Sequence, residues 1–227
     1  MSYVNQFFFG IYPYIALAVF LLGSLVRFDR EQYTWRSEST QVLHRGSLRL
    51  GSILFHVGII GLLGGHAVGL LTPVVVWDTL GVTHGAKQIF AMAAGGVMGT
   101  LCLVGILLLL ARRLGNTRLR TATTFKDKIV LLWILGTLLL GLSSIFVSAG
   151  HLDGHVMVLL MTWAQHIVTF RGDAASFILD APLVFKLHLF MGMSLFVIFP
   201  FTRLVHIWSG FGAVTYLGRA FQLVRPR

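Results

Sequence analysis

Four histidines within or beside apolar segments are the residues of this sequence best suited to chemistry. His56 and His66 lie in the uncharged stretch 53–73, and His188 and His206 flank a second apolar stretch. An imidazole inside a membrane costs free energy unless it has a partner, so an intramembrane histidine indicates a functional site by default. Two helices with two histidines each are suited to hold two haems, each haem between a pair of imidazoles.

The composition indicates a polytopic membrane protein. Of the 227 residues, 56% are hydrophobic and 11% are charged, and apolar runs of about 20 residues are long enough to cross a hydrocarbon core. The basic residues that give the net charge of +10 lie beside these runs, so we predict no nucleic-acid partner. The single cysteine, Cys102, excludes an internal disulfide and a four-cysteine iron–sulfur site. We expect no cleavable signal peptide, because the first residues lack a basic n-region.

We predict an all-α fold: a single transmembrane domain over 1–227 with five membrane-spanning helices and a cytoplasmic tail. The predicted spans are residues 3–26, 50–71, 88–111, 129–149 and 182–208, and the predicted tail is 209–227. These spans contain no Asp or Glu, which argues against an ion-coupled pump or transporter. A longer connection, 150–181, joins the fourth and fifth spans.

The distribution of basic residues predicts the orientation in the membrane. Lys and Arg number five in the 27–50 loop, six in the 112–128 loop and four from residue 203 onward. The opposite side has only three, namely Lys87, Arg171 and Lys186. Because positive charge is retained in the cytoplasm, the N-terminus is predicted outside, in the periplasm, and the C-terminus inside.

The antiparallel course of the second and fifth spans pairs the four histidines by depth. We expect an outer pair of His66 with His188 and an inner pair of His56 with His206. The eighteen-residue spacing from His188 to His206 equals five turns of a continuous helix, which predicts that both face the same way. Two depths about 15 Å or more apart exclude one tetrahedral metal ion. Histidines that only join helices, or a proton relay, are the alternatives to haem.

Further candidates are glycines and basic residues near these histidines. A stripe of glycines in the second span favours either the approach of a flat cofactor or helix–helix packing; it consists of Gly58, Gly61, Gly65 and Gly69. Lys87 begins the third span, where it is suited to bind a haem propionate or a quinone oxygen, or to snorkel to the membrane surface. Arg112 and Arg113 end that span as membrane anchors or as partners of an inner propionate. Most of the other histidines are interpreted as solvated surface residues; these others are His44, His84, His151, His155 and His166.

Along essentially its whole length the sequence resembles the gamma subunits of respiratory membrane-bound nitrate reductases, which are dihaem cytochromes b. The resemblance rests on motifs distributed over the chain: FFFGIYPYIALAVFLLGS, QYTWR, SILFHVGIIG, GGHAVGLLTP, KQIFAMAAGG, RTATT, WAQHIVTF, FKLHLFMGMSLF, FPFTRLVHIWS and FQLVRPR. So many matched segments in register make it specific.

The resemblance implies two haems b between the second and fifth spans and a quinol site beside the outer haem. The axial ligands of the family fall on His56, His66, His188 and His206. Its quinol-site lysine falls on Lys87, and the glycine that precedes the outer ligand falls on Gly65, so the quinol site comprises Lys87, Gly65 and His66. The basic pair that ends the third span falls on Arg112 and Arg113. No catalytic residue for nitrate itself is expected in this chain.

The resemblance also implies a function in the bacterial cytoplasmic (inner) membrane. Menaquinol or ubiquinol would be oxidised at the outer side, with protons released there. Electrons would pass through the outer and then the inner haem to a cytoplasmic iron–sulfur beta subunit. A molybdenum-containing alpha subunit would reduce nitrate. The alternatives are a haem-b anchor of another respiratory oxidoreductase, such as a formate dehydrogenase, and a haem-free transporter or assembly anchor.

Overall fold

The computed structural model describes residues 3–31, 35, 48–117, 119 and 123–209; most of these residues are helical, and none of them is in a strand. The helices are α1 (Tyr3–Arg30, with a π-helical part at Phe7–Ile11), α2 (Leu48–Leu71), α3 (Val74–Thr79), α4 (His84–Gly115), α5 (Phe125–Ala149), α6 (His155–Val168) and α7 (Leu183–Ile198). Short 3₁₀ turns occupy Ala174–Ile178, Phe199–Phe201 and Arg203–Val205. The predicted tail from residue 210, the QYTWR and RTATT motifs for the most part, and His44 lie outside the described residues.

Five of these helices are long and apolar enough to cross a membrane, which confirms the predicted all-α class and five spans; they are α1, α2, α4, α5 and α7, the last extended to Phe201. Helices α4 and α5 begin four residues earlier than predicted because each has a threonine cap. The Thr83 side chain accepts a hydrogen bond from Ala86 N, and Thr124 forms a reciprocal capping box with Asp127. The helices extend beyond the predicted spans and so include carboxylates near their ends, Asp127 in the first turn of α5 and Asp29 in the last turn of α1.

The fifth span is interrupted before His206. The α7 helix ends at Ile198, and the chain continues through 3₁₀ turns around Pro200, which lacks an amide hydrogen and cannot continue an α-helix without strain. Arg27 Nη1 donates to the carbonyls of Pro200 (2.7 Å) and Thr202 (2.8 Å), so carbonyls at the break have a partner. The prediction that His188 and His206 share a face of one continuous helix is wrong, because no such helix joins them.

The connection 150–181 is folded rather than an open loop. It contains α6 and the Ala174–Ile178 turn, which form a buried cluster with the first turns of α1. Trp163 Nε1 donates to the Phe9 carbonyl at 2.8 Å, and Asn5 Nδ2 donates to the Ala175 carbonyl at 2.7 Å. These contacts fix α6 against one end of the helix bundle.

The bundle brings α2 and α7 to face each other without extensive direct packing. Helix α2 packs on α4, α4 on α5, α5 on α7, and α7 on α1. Helices α2 and α4 cross at glycines: a Cβ on Gly58 would lie 2.4 Å from Cys102 N, and one on Gly105 would lie 2.3 Å from Phe55 N. Backbones at this distance tolerate no side chain between them. The remaining side of the bundle, between α2 and α7, holds the histidines.

Candidate functional site

The four predicted histidines form two pairs across the space between α2 and the α7 region. The ring centroids of His66 and His188 are 5.9 Å apart, and those of His56 and His206 are 6.3 Å apart. The names outer pair and inner pair are kept for these two, following the predicted orientation. The structure therefore brings together the partners that the depth argument selects. Among the described residues no three His, Cys, Asp or Glu side chains converge on one point.

Each histidine has its Nδ1 directed at a backbone carbonyl. The distances are 2.7 Å for His56 to Ser52 O, 2.7 Å for His66 to Leu62 O, 2.9 Å for His188 to Thr137 O, and 2.6 Å for His206 to Arg203 O. A carbonyl oxygen only accepts, so Nδ1 carries the proton in all four rings. The lone pair of each neutral ring is then on Nε2. Metal-ligating histidines in proteins have this arrangement, with one nitrogen bound to a backbone or carboxylate partner and the other to the metal.

These pairs fit a metal with one imidazole on each side. An imidazole nitrogen binds a metal ion at about 2 Å, so two such bonds and the inner halves of two rings add up to about 6 Å between ring centres. The separations of 5.9 and 6.3 Å agree with that sum. Two axial imidazoles with no third protein ligand are the donor set of a six-coordinate haem iron. The residues present therefore fit haem, whereas neither pair supplies the four ligands of a structural zinc site.

The glycine stripe of α2 divides between the two roles considered for it. Gly58 and Gly61 pack on α4, where an added Cβ would lie 2.4 Å from Cys102 N and 2.7 Å from Met98 Sδ, respectively. A Cβ on Gly65 or Gly69 would have nothing within 4 Å. The packing explanation is therefore correct for the first two glycines. Gly65, which directly precedes His66, and Gly69, one turn after it, leave an open surface against which a flat group can lie.

The outer ligand candidate His188 rests on α5. A Cβ on Gly141 would lie 2.8 Å from His188 Cε1, so the imidazole occupies the space that a side chain at Gly141 would fill. Thr137, one turn earlier on α5, provides the carbonyl that accepts from His188 Nδ1. Trp133, a further turn back, donates its Nε1 to Met191 O at 3.0 Å and holds α5 against α7. The sequence reasoning assigned no role to these α5 residues.

Lys87 is buried, with 6% of its surface exposed, at the same end of the bundle as the outer pair. Its Nζ donates to Gly69 O at 3.1 Å, lies 2.8 Å from Met161 Sδ, and is 4.4 Å from the centroid of the Trp77 ring. Gly69 is one turn from His66 on α2. The snorkelling interpretation is wrong, because the side chain is buried and its ammonium is directed into the protein. Among the described residues no carboxylate pairs with Lys87.

Two glutamines that the sequence reasoning missed hold this end of the bundle together. Gln88 Nε2 donates to the carbonyls of Ser148 and His151, and its Oε1 accepts from Gly154 N. Gln165 Nε2 donates to the carbonyls of Leu70 and Thr72, where α2 ends. A polar residue within an apolar helix was the available signal, because such a residue requires hydrogen-bond partners. These bonds position the surroundings of Lys87.

The opposite end has a buried group of charges. Asp127 is 6% exposed and lies 3.8 Å from Arg113 Nη1 and 3.5 Å from Arg203 Nη1. Arg203 also provides the carbonyl that accepts from His206. Arg112 is buried at the end of α4. Arg112 and Arg113, predicted as propionate partners, therefore lie at the same end of the bundle as Arg203 and His206. Arg113 has Asp127 as a carboxylate partner within the chain.

Of the other histidines that the structure describes, His151 and His155 are exposed and the His84 side chain is 41% exposed, in agreement with the solvated interpretation. The His166 side chain is only 14% exposed, so that interpretation does not hold for it. His84 Nε2 is 3.1 Å from Asp78 Oδ1, and both side chains are exposed. His166 Nδ1 is 2.7 Å from Asp173 Oδ1. This hydrogen bond from His166 lowers the pKa of the exposed Asp173 carboxyl below its ordinary value. Both pairs join neighbouring elements at the surface of the outer end.

Comparisons with known proteins place the chain in a family over nearly its whole length. The family model described as nitrate reductase gamma subunit matches residues 5–227. The respiratory nitrate reductase 1 gamma chain of Escherichia coli (strain K12) is 49% identical over 227 residues, covering 100% of both chains. The respiratory nitrate reductase 2 gamma chain of the same strain is 46% identical over 227 residues, covering 100% of this chain and 99% of the relative. The nitrate reductase gamma chain of Bacillus subtilis (strain 168) is 34% identical over 223 residues, covering 98% and 99%.

Proposed function

Since this chain belongs to the nitrate reductase gamma subunit family, we propose that it is a dihaem cytochrome b that oxidises quinol and supplies the electrons for nitrate reduction. It is a multi-pass protein of the inner membrane. The observation that carries the proposal is the pair of facing histidines at each of two depths, 5.9 and 6.3 Å between ring centres. Nothing in helix packing requires two such pairs with the Nε2 lone pairs left available.

His66 and His188 hold the outer haem, and His56 and His206 hold the inner one. The backbone carbonyls fix the tautomer of each ring, which leaves Nε2 as the ligand atom. When bound between two imidazoles, haem has no open coordination position and supplies one-electron transfer rather than oxygen binding.

Paired variants test this assignment. His66→Ala and His188→Ala should each abolish the same haem signal in a reduced-minus-oxidised spectrum, because each removes one axial ligand of the outer haem. His56→Ala and His206→Ala should each abolish the other signal. His155→Ala, an exposed histidine on α6, is the control and should leave both signals in place. Equal losses in all five variants, or crossed pairing, would contradict the assignment.

Quinol binds at the outer end, beside His66, Gly65 and Lys87. The absence of side-chain contacts at Gly65 gives a ring room to approach. The buried Lys87 ammonium is three residues beyond the start of α4 and is a charged donor for a quinol oxygen. Its present acceptors are a carbonyl and a thioether, so a quinol oxygen competes with no salt bridge. Menaquinol and ubiquinol both offer that oxygen.

Lys87→Met tests the quinol site. A hydrogen bond to a charged group contributes about 1.5–3 kcal/mol, so kcat/KM for quinol should fall about 10- to 100-fold while haem content stays at the wild-type level. Lys186→Met is the matched control, because that lysine donates only to Leu179 O and is on the same side; its activity should be unchanged. A Lys87→Met variant with wild-type quinol oxidation would remove Lys87 from the site.

The direction of transfer follows from the predicted orientation, with the N-terminus outside. Protons from quinol are released at the outer end, and electrons leave at the inner end toward an iron–sulfur beta subunit and a molybdenum-containing alpha subunit. Each charge separated against 100 mV stores about 2.3 kcal/mol. Labelling single cysteines placed at Thr79 and Lys126, from outside intact cells, tests the topology: only the first should react.

A further inference from the structure

One of the four haem-ligand candidates is oriented differently from the other three. His56, His66 and His206 donate Nδ1 to a carbonyl three or four residues earlier in their own segment. His188 donates instead to Thr137 O, 51 residues away on α5. The orientation of this ring therefore depends on how α5 packs against α7, and not only on the helix that carries it.

Gly141 is the second point at which α5 touches this ring. A Cβ there would lie 2.8 Å from His188 Cε1, 3.4 Å from Nδ1 and 3.5 Å from Nε2. Since contacts under 3.0 Å are not found for real Cβ atoms, any side chain at Gly141 would displace the imidazole. The ring is thus located by a hydrogen bond at one turn of α5 and by a glycine at the next.

Packing between α5 and α7 keeps Thr137 and Gly141 in contact with the His188 ring. Trp133 Nε1 donates to Met191 O, which joins α5 to α7 one turn before Thr137. Gly136 also faces α7, but a Cβ there would meet the terminal Cε of Met191 at 3.0 Å. A flexible methionine end can move away, whereas His188 is held by its hydrogen bond. The two glycines of α5 therefore differ in what a methyl group would disturb.

We propose that Gly141 and the Thr137 carbonyl are positioning residues for the outer haem: they set the ring plane and tautomer of His188 and so determine the occupancy and electron affinity of the outer centre alone. This inference rests on the proposed function. Partners of metal-bound histidines fix ring orientation and tune the metal, and their loss typically changes metal affinity 10- to 100-fold. The inner pair takes its orientation from the carbonyls of residues 52 and 203, and not from Thr137 or Gly141.

Gly141→Ala in the intact complex tests the proposal, with Gly136→Ala as the control on the same helix, because that glycine also contacts α7 but not His188. Alanine is the better helix former, so a loss cannot come from helix propensity. Haem per polypeptide and the separate redox titration of the two centres are measured. We expect Gly141→Ala to lower outer-haem occupancy or to shift its reduction equilibrium at least tenfold, equal to about 59 mV for one electron, with the inner centre unchanged. Unchanged outer haem, or equal changes at both centres, would overturn the proposal.

A structure of the unmodified, haem-loaded complex decides the matter even if the variant does not assemble. The proposal requires His188 Nδ1 within hydrogen-bond distance of Thr137 O and the ring in contact with Gly141. A His188 turned to another partner would overturn it. Failure of the proposed function is distinguishable, because it would appear as an absence of two haems from the unmodified protein.

Discussion

Replacing Gly105 with alanine should weaken the α2–α4 crossing and disturb the inner pair. The added Cβ would lie 2.3 Å from Phe55 N and 2.7 Å from Phe55 Cα. Backbone atoms cannot turn away as a side chain does, so α2 must retreat by about 1 Å to reach ordinary contact. Phe55 directly precedes His56, and the displacement therefore moves a ligand of the inner haem.

The expected magnitude combines two opposing terms. Overpacking costs about 1–3 kcal/mol, and alanine returns about 1 kcal/mol of helix propensity relative to glycine. Because the added Cβ meets backbone atoms, we expect the upper end of the overpacking cost and a net loss of about 2 kcal/mol. This loss corresponds to a fall of about 4–8 °C in melting temperature for a chain of this size. Thermal unfolding in detergent, followed by the haem absorption and by circular dichroism, measures both the stability and the retention of the inner haem.

Gly95→Ala on the same helix is the control. A Cβ there has nothing within 4 Å, so only the propensity term applies and the variant should be as stable as the wild type or up to about 1 kcal/mol more stable. If Gly105→Ala melts at the same temperature as Gly95→Ala and keeps its haem, the close crossing of α2 and α4 is refuted.

Three further outcomes are expected. Asp127→Asn should lower the free energy of unfolding by about 3 kcal/mol in denaturant titrations, because it removes a buried carboxylate from two partly buried arginines, Arg113 and Arg203. Asp29→Asn, at an exposed position, should change it by less than about 0.5 kcal/mol. Gln88→Met should cost about 1–3 kcal/mol for each backbone group that it leaves unpaired, and hydrogen exchange should locate the loss at the start of α6. The hydrogen bond from His166 lowers the pKa of Asp173. The stability that this bond adds is therefore fully present above the ordinary pKa of 3.8 and is lost as the pH falls through the lowered pKa of the folded state. Asp173→Asn should melt at a lower temperature than the wild type at about pH 5, and this difference should shrink as the pH is lowered further.

The spans and the histidine pairing were predictable because they need only helix length and direction. An antiparallel pair of spans puts His66 near His188 and His56 near His206 whatever the side-chain detail. The interruption before His206 was not predicted, although Pro200 is visible in the sequence, because prolines are tolerated in spanning helices when other groups satisfy the backbone. Here that group is the Arg27 side chain from a different span.

Residues that act through another helix were hidden from the sequence. Gly58 and Gly65 have the same local pattern, yet one packs on α4 and the other faces open space, because the crossing point of the helices decides. Gly141 was not distinguished from the other glycines for the same reason. Asp127 had a readable signal, since Thr124 and Asp127 have the spacing of a capping box. That signal was outweighed by the more apolar run that begins at residue 129.

The most direct test of the account is the number of haems held by the purified chain. A reduced-minus-oxidised absorption spectrum, together with a pyridine-haem count per polypeptide, measures it. The account predicts two non-covalent b haems, one for each histidine pair, with one lost in His66→Ala and the other in His206→Ala. Correctly inserted protein without haem, or with a haem that survives both substitutions, would contradict it.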